Sequence, residues 1–214
     1  MPGRRAPSNQ RRAEILGAAL AIATTDGLDA VTVRCVAAKS RLSAGLVLFH
    51  FQKRALLIHA LLERILADCT LMPVSKDGSA ESAFDTLARV VESEMGRLSD
   101  KSELADVFFE FWVLGLREPS IRRRMRRALR TYREGFEPLA AAAIRERPKL
   151  FRGVSREGLA TIAVATVQGT VLQACLDRGR VDVAASQRAF HALSRELVQQ
   201  WRSRSTTRPR EVEA

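Results

Sequence analysis

The stretch VTVRCVAAKSRLSAGLVLFHFQKRALLI, which spans residues 31–58, decides the fold of the chain. Thr32 is a good helix N-cap, and apolar residues follow it at helical spacing. Ser43 is a second N-cap, and it opens a short helix that we expect to end near Phe49. A third apolar helix begins near Lys53. Two short helices joined by a tight turn are typical of the helix-turn-helix, whose second helix enters the DNA major groove.

The spacing of this stretch resembles the DNA-binding signature of the tetracycline-repressor (TetR) family. The residues that carry the resemblance are Thr32, Val36, Ala37, Leu42, Ser43, Gly45, Phe51, Arg54 and Leu57. The sequence departs from the family pattern at Ser40, Arg41, Leu48 and Arg54. Arg54 keeps the positive charge of the usual lysine. Arg41 replaces the glycine of the turn, where a left-handed residue is favoured and a non-glycine residue costs about 1 kcal/mol.

Composition and charge indicate a globular protein with a polyanionic partner. The 214 residues are 46% hydrophobic, which is enough for one large domain or two small ones. The formal net charge is +11 and the pI is about 10.8. Residues 1–58 contain nine basic and three acidic residues, so more than half of the excess lies there. Nucleic acid is the first partner to consider and an anionic membrane surface the second.

Apolar periodicity predicts an all-α fold of about nine helices. We expect a helix-turn-helix DNA-binding domain over residues 1–58, with a flexible arm over residues 1–8. A helical-bundle domain for ligand binding and dimerisation is expected over residues 59–202, followed by a disordered tail over 203–214. The loop over residues 72–80 lies near the expected domain boundary.

Three features of the second half lead to separate expectations. Ser99 and Asp100 are predicted to cap the amino end of the next helix. The uncharged run from Leu159 to Leu176 predicts a helix covered by its own core on one side and by a second subunit on the other. The run is long enough to suggest a membrane span, but its Thr and Gln residues make it too polar for lipid. The last helix carries one apolar stripe, formed by Phe190, Leu193, Leu197 and Trp201.

The long helix that starts at Pro119 is rich in arginine. Its arginines are Arg122, Arg123, Arg124, Arg126, Arg127, Arg130 and Arg133. A second nucleic-acid patch is one interpretation. We favour a solvated face whose acidic partners are Glu92, Glu94, Glu103 and Glu110.

Residues 81–200 resemble, more loosely, the ligand domain of the choline-responsive Bet regulator group. The resemblance is carried by Phe111–Trp112 ahead of Glu118–Pro119, by the arginine-rich helix with Tyr132, and by GTVLQACLD at residues 169–177. It implies a ligand-binding domain whose last two long helices build a four-helix dimer interface. It also implies a bacterial protein of the cytoplasm and nucleoid. It does not establish choline as the ligand.

Signatures of catalysis are missing from the sequence. The three histidines lie in separate predicted helices without metal-ligand spacing, and there is no Gly-rich phosphate loop and no Gly-x-Ser-x-Gly elbow. We therefore predict no enzyme, no metal and no cofactor. Cys35, Cys69 and Cys175 are expected to be reduced, buried thiols, with a redox sensor at Cys69 or Cys175 as the alternative.

The second helix of the helix-turn-helix, here called the reading helix, offers almost no hydrogen-bonding side chains. This limits direct readout of bases, so we expect apolar contacts from Ala44 and Leu46 to thymine methyl groups, together with readout of DNA shape. The predicted phosphate contacts come from Thr32, Ser43, His50, Lys53 and Arg54, helped by Arg34, Lys39 and Arg41. Gly45, Leu48 and Phe49 complete the predicted DNA-binding set.

The candidate ligand residues are Phe108, Phe111, Trp112, Tyr132 and Gln168. Trp112 or Tyr132 can attract a cation through its ring, although a core role is the alternative for each aromatic residue. The sequence thus predicts a homodimeric transcription repressor that binds a palindromic operator in double-stranded DNA and is released by an unknown small molecule. The competing hypothesis is a helical ligand-binding or scaffold protein that binds nucleic acid or acidic surfaces without sequence preference.

Overall fold

The computed structural model describes residues 7–68 and 82–206 and, within them, contains nine α-helices, one 3-10 turn and no strand. This confirms the all-α prediction. The helices are α1 (Ser8–Asp26), α2 (Val33–Ser40), α3 (Ala44–Phe51), α4 (Arg54–Asp68), α5 (Ala83–Ser99), α6 (Ser102–Arg117), α7 (Pro119–Glu146), α8 (Arg156–Leu176) and α9 (Val183–Thr206). The 3-10 turn Leu28–Ala30 joins α1 to α2.

Packing divides the described residues into two compact units. Unit 1 contains those within residues 1–70 together with Lys101–Ala128, and unit 2 contains those within residues 71–100 and 129–214. The first turns of α7 therefore belong to unit 1 and the rest of the helix to unit 2. This grouping differs from the boundary after residue 58, because α6 and the start of α7 share a hydrophobic core with the helix-turn-helix.

The core of unit 1 is built on the apolar stripe of α1. Ile15, Ala18, Ala19, Ile22 and Ala23 are all buried, as their helical spacing predicts. They pack in one cluster with residues from α2, α3, α4, α6 and the first turns of α7. Gly27 ends α1 with φ at +81°, a conformation that favours glycine.

The two predicted helix caps of the helix-turn-helix are confirmed. The Thr32 hydroxyl accepts a hydrogen bond from the Cys35 N–H at 3.2 Å, and the Ser43 hydroxyl accepts one from the Leu46 N–H at 3.2 Å. Arg41 follows α2 in the left-handed conformation expected of this turn, with φ of 56° and ψ of 39°. The reading helix is α3, and it continues to Phe51, beyond its expected end.

Unit 2 has its own core. Helix α5 packs against α8 and α9, and the later turns of α7 supply Phe136 to the same hydrophobic cluster. Glu94 of α5 is buried in this unit and is compensated by two partners. Its carboxylate accepts a hydrogen bond from the Tyr132 hydroxyl at 2.7 Å and pairs with the Arg97 guanidinium at 2.6 Å. Such compensation is what a buried carboxylate requires.

Several local expectations are wrong. Ser99 is the last residue of α5 and Asp100 follows it, while α6 begins after Lys101 without a side-chain cap. Helix α9 continues through residues 203–206, which were expected to be disordered. Ser8 is helical rather than part of an arm. Residues 1–6, 72–80 and 207–214 lie outside the described part of the chain.

Three of the four acidic residues expected to pair with the arginine-rich helix are engaged elsewhere. Glu92 pairs with His191, Glu94 pairs with Arg97, and Glu110 accepts a hydrogen bond from a backbone N–H. The arginines still form mostly a solvated face, in which the exposed members are Arg122, Arg123, Arg126, Arg127 and Arg130. Charge complementarity alone did not identify the pairs because it carries no information about which side chains come within reach.

The burial expected of the cysteines is not found at Cys35. Cys35 is exposed, because Val36 and Ala37 are the α2 residues that face the core. Leu193 of α9, a member of the predicted apolar stripe, is 66% exposed. Cys175 is half-buried, and Cys69 lies outside the described residues.

Candidate nucleic-acid interface and ligand residues

The reading helix buries one face and exposes the other. Val47 and Phe51 are buried in the core of unit 1, as expected for core positions. The exposed face consists of Ala44, Gly45, Leu48 and Phe49, and Phe49 is 77% exposed. Leu46, which we expected to contact DNA, is half-buried. The sequence correctly identified the helix that carries both faces. It did not predict that Leu48 and Phe49 are more exposed than Leu46, because the orientation of the helix depends on tertiary packing.

The carboxyl end of the reading helix is held by Arg12 of α1. Nη1 of Arg12 donates a hydrogen bond to the His50 carbonyl oxygen at 3.0 Å. The same guanidinium lies over the Phe51 ring, 4.2 Å from its centroid, which is a favourable cation–π geometry. In the sequence Arg12 was counted only as a charge, because nothing in the local pattern indicates a partner on another helix.

Arg54 braces the loop before α2. Its Nε donates to the Val31 carbonyl oxygen at 2.8 Å, and its Nη2 donates to the Leu28 carbonyl oxygen at 2.9 Å. From the sequence we assigned Arg54 to the phosphate contacts. In the structure two of its guanidinium nitrogens stabilise the protein backbone, and the sequence pattern did not indicate that structural role.

Glu110 of α6 binds the same loop through a backbone N–H. Its Oε2 accepts a hydrogen bond from the Leu28 N–H at 2.7 Å. A Cβ placed on Gly27 would lie 3.5 Å from this carboxylate. The loop from Gly27 to Val31 is therefore held between Arg54 at the start of α4 and Glu110 on α6. The sequence did not predict this role for Glu110, because 82 residues separate it from Leu28.

Most of the predicted phosphate-contacting side chains occupy exposed positions on α2 or in the segments directly before and after the reading helix. Arg34, Lys39, Arg41, Ser43 and Lys53 are exposed. Thr32 and His50 are half-buried, and the hydroxyls of Thr32 and Ser43 are used as helix caps. Basic side chains beside an exposed helix face are what phosphate contacts require.

The candidate ligand residues divide between the two units. Phe108, Phe111 and Trp112 belong to the unit 1 cluster, where Phe111 is fully buried and Phe108 meets Trp112 edge-on at 5.8 Å. Tyr132 and Gln168 belong to unit 2. Burial, together with the neighbouring Glu94 carboxylate, raises the pKa of the Tyr132 phenol. The phenol therefore remains a hydrogen-bond donor to Glu94 at neutral pH.

Unit 2 also has a surface depression of about 300 Å³. Its lining is mostly charged and consists of Arg130, Arg133, Glu134, Glu137, Glu157 and Thr161. The candidate ligand residues lie outside this lining.

Comparison with solved structures supports the fold. A transcriptional regulator from Saccharomonospora viridis in complex with choline is 19% identical, with a TM-score of 0.69 over 86% of this chain and 95% of the other. A protein from Rhodococcus sp. assigned to the TetR family is 20% identical, with a TM-score of 0.68 over 88% of this chain and 98% of the other. FadR from Bacillus subtilis in complex with stearoyl-CoA is 17% identical, with a TM-score of 0.62 over 85% and 96%. No curated protein sequence matches the chain.

By length and composition alone, α8 among the described helices could cross a membrane, with a mean hydropathy of 1.6 in its most apolar window. The bent pair of α3 and α4 passes the same test if it is counted as one span.

The second half of the chain, which includes α8, matches a known protein family. Residues 84–203, more than half of the chain, match the family of BetI-type transcriptional repressors in its C-terminal domain. The chain therefore belongs to the BetI-type repressors of the TetR family, and it is a DNA-binding transcriptional regulator.

Proposed function

We propose that the protein is a repressor that binds a palindromic operator as a homodimer and is released when a small molecule binds its C-terminal region. The observation that carries this proposal is the reading helix, which buries Val47 and Phe51 and leaves its opposite face open between basic side chains. Cytoplasmic location is expected for a soluble regulator of this family, and we infer association with the nucleoid.

The DNA contacts fall into two groups. The open face of α3 meets base edges, while the exposed cations Arg34, Lys39, Arg41 and Lys53 contact phosphates, with help from Ser43 and His50. Arg54 supports the interface mainly through the backbone carbonyls that it binds. In this arrangement residues 1–58 bind the DNA, and residues 59–202 bind the ligand and the second subunit.

The dimer interface is proposed on α8 and α9. Helix α8 exposes Ile162 at 64% and Leu176 at 78%, although it packs on α5 through its other side. Leu193 of α9 is exposed to a similar degree. Helices α8 and α9 of each copy can form a four-helix interface, which would cover exposed apolar side chains that a monomer leaves in water.

The effector is proposed to be a small organic molecule, and choline is the first compound to test. The motivation is the family assignment together with the choline-bound neighbour at 19% identity. The ring of Tyr132 and the partly exposed ring of Trp112 are the candidate cation-binding surfaces. The test is the release of operator DNA as choline is added, with ethanolamine as a control that lacks the quaternary ammonium.

Operator binding is tested by selection from a random duplex-DNA pool at physiological salt. We expect a palindrome to be enriched. Recovery of unselected DNA, with binding that collapses as salt rises, would favour the competing hypothesis of non-specific binding.

The phosphate contacts are tested on the selected operator. Lys53→Ala removes one proposed phosphate contact from each subunit of the dimer, so the slope of log affinity against log salt should become shallower by about 0.9 per contact, or about 1.8 in total. Arg117→Ala removes an exposed cation from the last turn of α6 and should leave the slope unchanged. An unchanged slope for Lys53→Ala would remove Lys53 from the phosphate contacts.

A further inference from the structure

We propose that the reading helix recognises the 5-methyl groups of pyrimidines in the major groove, with Phe49 as its main contact. The inference rests on the proposed sequence-specific DNA binding and names what is recognised. It predicts that the protein distinguishes thymine from uracil in DNA, and 5-methylcytosine from cytosine.

The open face of the reading helix is chemically apolar. Ala44, Gly45, Leu48 and Phe49 have no side-chain hydrogen-bond donor or acceptor. The major-groove edges of the bases present donors, acceptors and one apolar group, which is the C5-methyl of thymine. An apolar face can therefore distinguish base pairs through that methyl group or through DNA shape, but not through a bidentate polar contact.

Phe49 is the most exposed part of this face. Its side chain is 77% exposed, which is the largest exposure among the large apolar residues of the helix-turn-helix, whereas Leu48 is 41% exposed. A large ring left in water on the groove-facing helix gains free energy when it contacts an apolar group. Ala44 is small and Leu46 is half-buried, so Phe49 reaches further from the helix than either residue that the sequence assigned to methyl contacts.

The surroundings of Phe49 support this contact. The His50 ring meets the Phe49 ring edge-on at 5.3 Å between centroids, and Arg12 holds the carbonyl of His50. Gly45 lies one turn before Phe49 and has no side chain. A Cβ there would meet only the Ser43 hydroxyl oxygen, at 3.9 Å, so the backbone at this point is open to close approach.

Cytosine methylation extends the inference. The methyl group of 5-methylcytosine occupies the same position on the pyrimidine ring as that of thymine. A helix that reads the methyl group and makes no polar contact with the base should accept 5-methylcytosine in place of thymine in part. The protein would then respond to the methylation state of its site.

The test uses two random duplex pools that differ only in their pyrimidine, one containing thymine and the other deoxyuridine. An A·U pair keeps every hydrogen-bonding group of A·T and lacks only the methyl group. We expect the full-length protein to enrich a palindrome from the thymine pool, and the same sequence made with deoxyuridine to bind about fourfold more weakly per contacted methyl group. Enrichment of one sequence with equal affinity from both pools would overturn methyl recognition and leave the proposed function standing. Enrichment from neither pool would overturn sequence-specific binding and this inference with it.

Phe49→Ala then assigns the contact. For this variant we expect the weakening caused by deoxyuridine at the contacted position to disappear, while binding to the remainder of the site persists. Val113→Ala is the matched control, because Val113 is an exposed apolar residue of α6 at 58% exposure. It should keep the full deoxyuridine effect. A Phe49→Ala protein that remains as sensitive to deoxyuridine as the parent would remove Phe49 from the role.

Methylated cytosine gives an independent measurement. At the contacted position, replacing thymine by cytosine should weaken binding, and 5-methylcytosine should recover about fourfold. Equal affinity for the two cytosines would contradict recognition of the methyl group at that position.

Discussion

Arg54 joins two backbone carbonyls of the loop before α2, those of Leu28 and Val31. The guanidinium reaches both because it is a planar fork with several N–H donors. A lysine, which is usual at this position in the resembling family, has a single ammonium and cannot reproduce the geometry. At this position the arginine keeps the positive charge and also stabilises the loop through two hydrogen bonds to its backbone.

The brace gives a prediction for Arg54→Lys. We expect the free energy of unfolding to fall by about 1.5 kcal/mol or more, because hydrogen bonds from a charged donor are removed or weakened. The free energy of operator binding, measured well below the unfolding temperature, should change less than the free energy of unfolding. Thermal and urea unfolding provide the measurement, with Lys53→Arg as the control at an exposed neighbouring cation. If Arg54→Lys unfolds like the parent, the brace contributes nothing measurable.

Tyr132 gives a prediction about pH, because it is the one tyrosine in the sequence. Burial and Glu94 raise the pKa of its phenol above the ordinary value of about 10. The folded state therefore holds a proton that the unfolded state releases. The contribution of the Tyr132 phenol to the stability of the folded state is complete below pH ~10. It is lost as the pH rises through the pKa that the phenol has in the folded protein.

An absorbance titration near 295 nm follows this phenol directly. The native protein should show no phenolate at pH 10–11, and phenolate should appear together with unfolding at higher pH. Urea-unfolded protein should titrate near pH 10. Phenolate formation near pH 10 with the far-ultraviolet circular dichroism intact would contradict the buried hydrogen bond.

Contacts between neighbouring residues could be predicted from the sequence, whereas contacts between distant residues could not. Thr32 and Ser43 were identified as helix caps because a cap acts on backbone groups within three residues of itself. The roles of Arg12 and Glu110 were not identified, since their partners lie 38 and 82 residues away. Local chemistry can be read from local sequence, whereas these contacts depend on how helices pack.

At the scale of the element, the open face of the reading helix lacks hydrogen-bonding side chains, and at Gly45 it lacks a side chain altogether. Gly45 is a poor helix former, yet it occupies the second position of α3 with space beside it. A residue that weakens the helix and has no packing reason in the free protein points to a close approach by another molecule.

Gly45→Ala tests this interpretation. The new methyl group meets nothing nearer than 3.9 Å in the free protein, so the melting temperature should stay the same or rise. Operator affinity should fall by about tenfold, because forcing a methyl group into a close contact costs about 1–3 kcal/mol. Gly17→Ala, the same change inside α1, is the control, because a Cβ there also meets nothing nearer than 3.9 Å, and it should leave operator affinity unchanged. Unchanged affinity for Gly45→Ala would exclude close backbone approach at this position.

Helix boundaries illustrate the same limit for whole elements. The stripe of α1, the cap of α8 at Ser155 and the start of α7 at Pro119 all follow from sequence patterns. The start of α6 does not, since Ser99 completes α5 and no side chain caps the new helix. The apolar character of α8 was recognised, but the pattern alone did not say which of its residues stay exposed.

At the scale of the whole molecule, the exposed side chains of α8 predict a dimer that can be dissociated by one charge. Ile162→Glu places a carboxylate where two copies are proposed to meet, and burying it without a partner is costly. Sedimentation should show a monomer for this variant and a dimer for the parent. Leu116→Glu is the control, because Leu116 of α6 is exposed to a similar degree at 66%. A dimeric Ile162→Glu protein would move the interface away from this position.

Unit 1 is assembled from two separate stretches of the chain, and this limits how the regulator can be recombined. A hybrid that joins residues 1–70 to a foreign effector domain would leave behind Glu110, Phe111, Ile121 and Met125, which complete the core and hold the loop before α2. The exchangeable cassette is therefore not the amino-terminal segment. It is that segment plus residues 101–128, so a functional graft must be inserted between them and after them rather than simply appended.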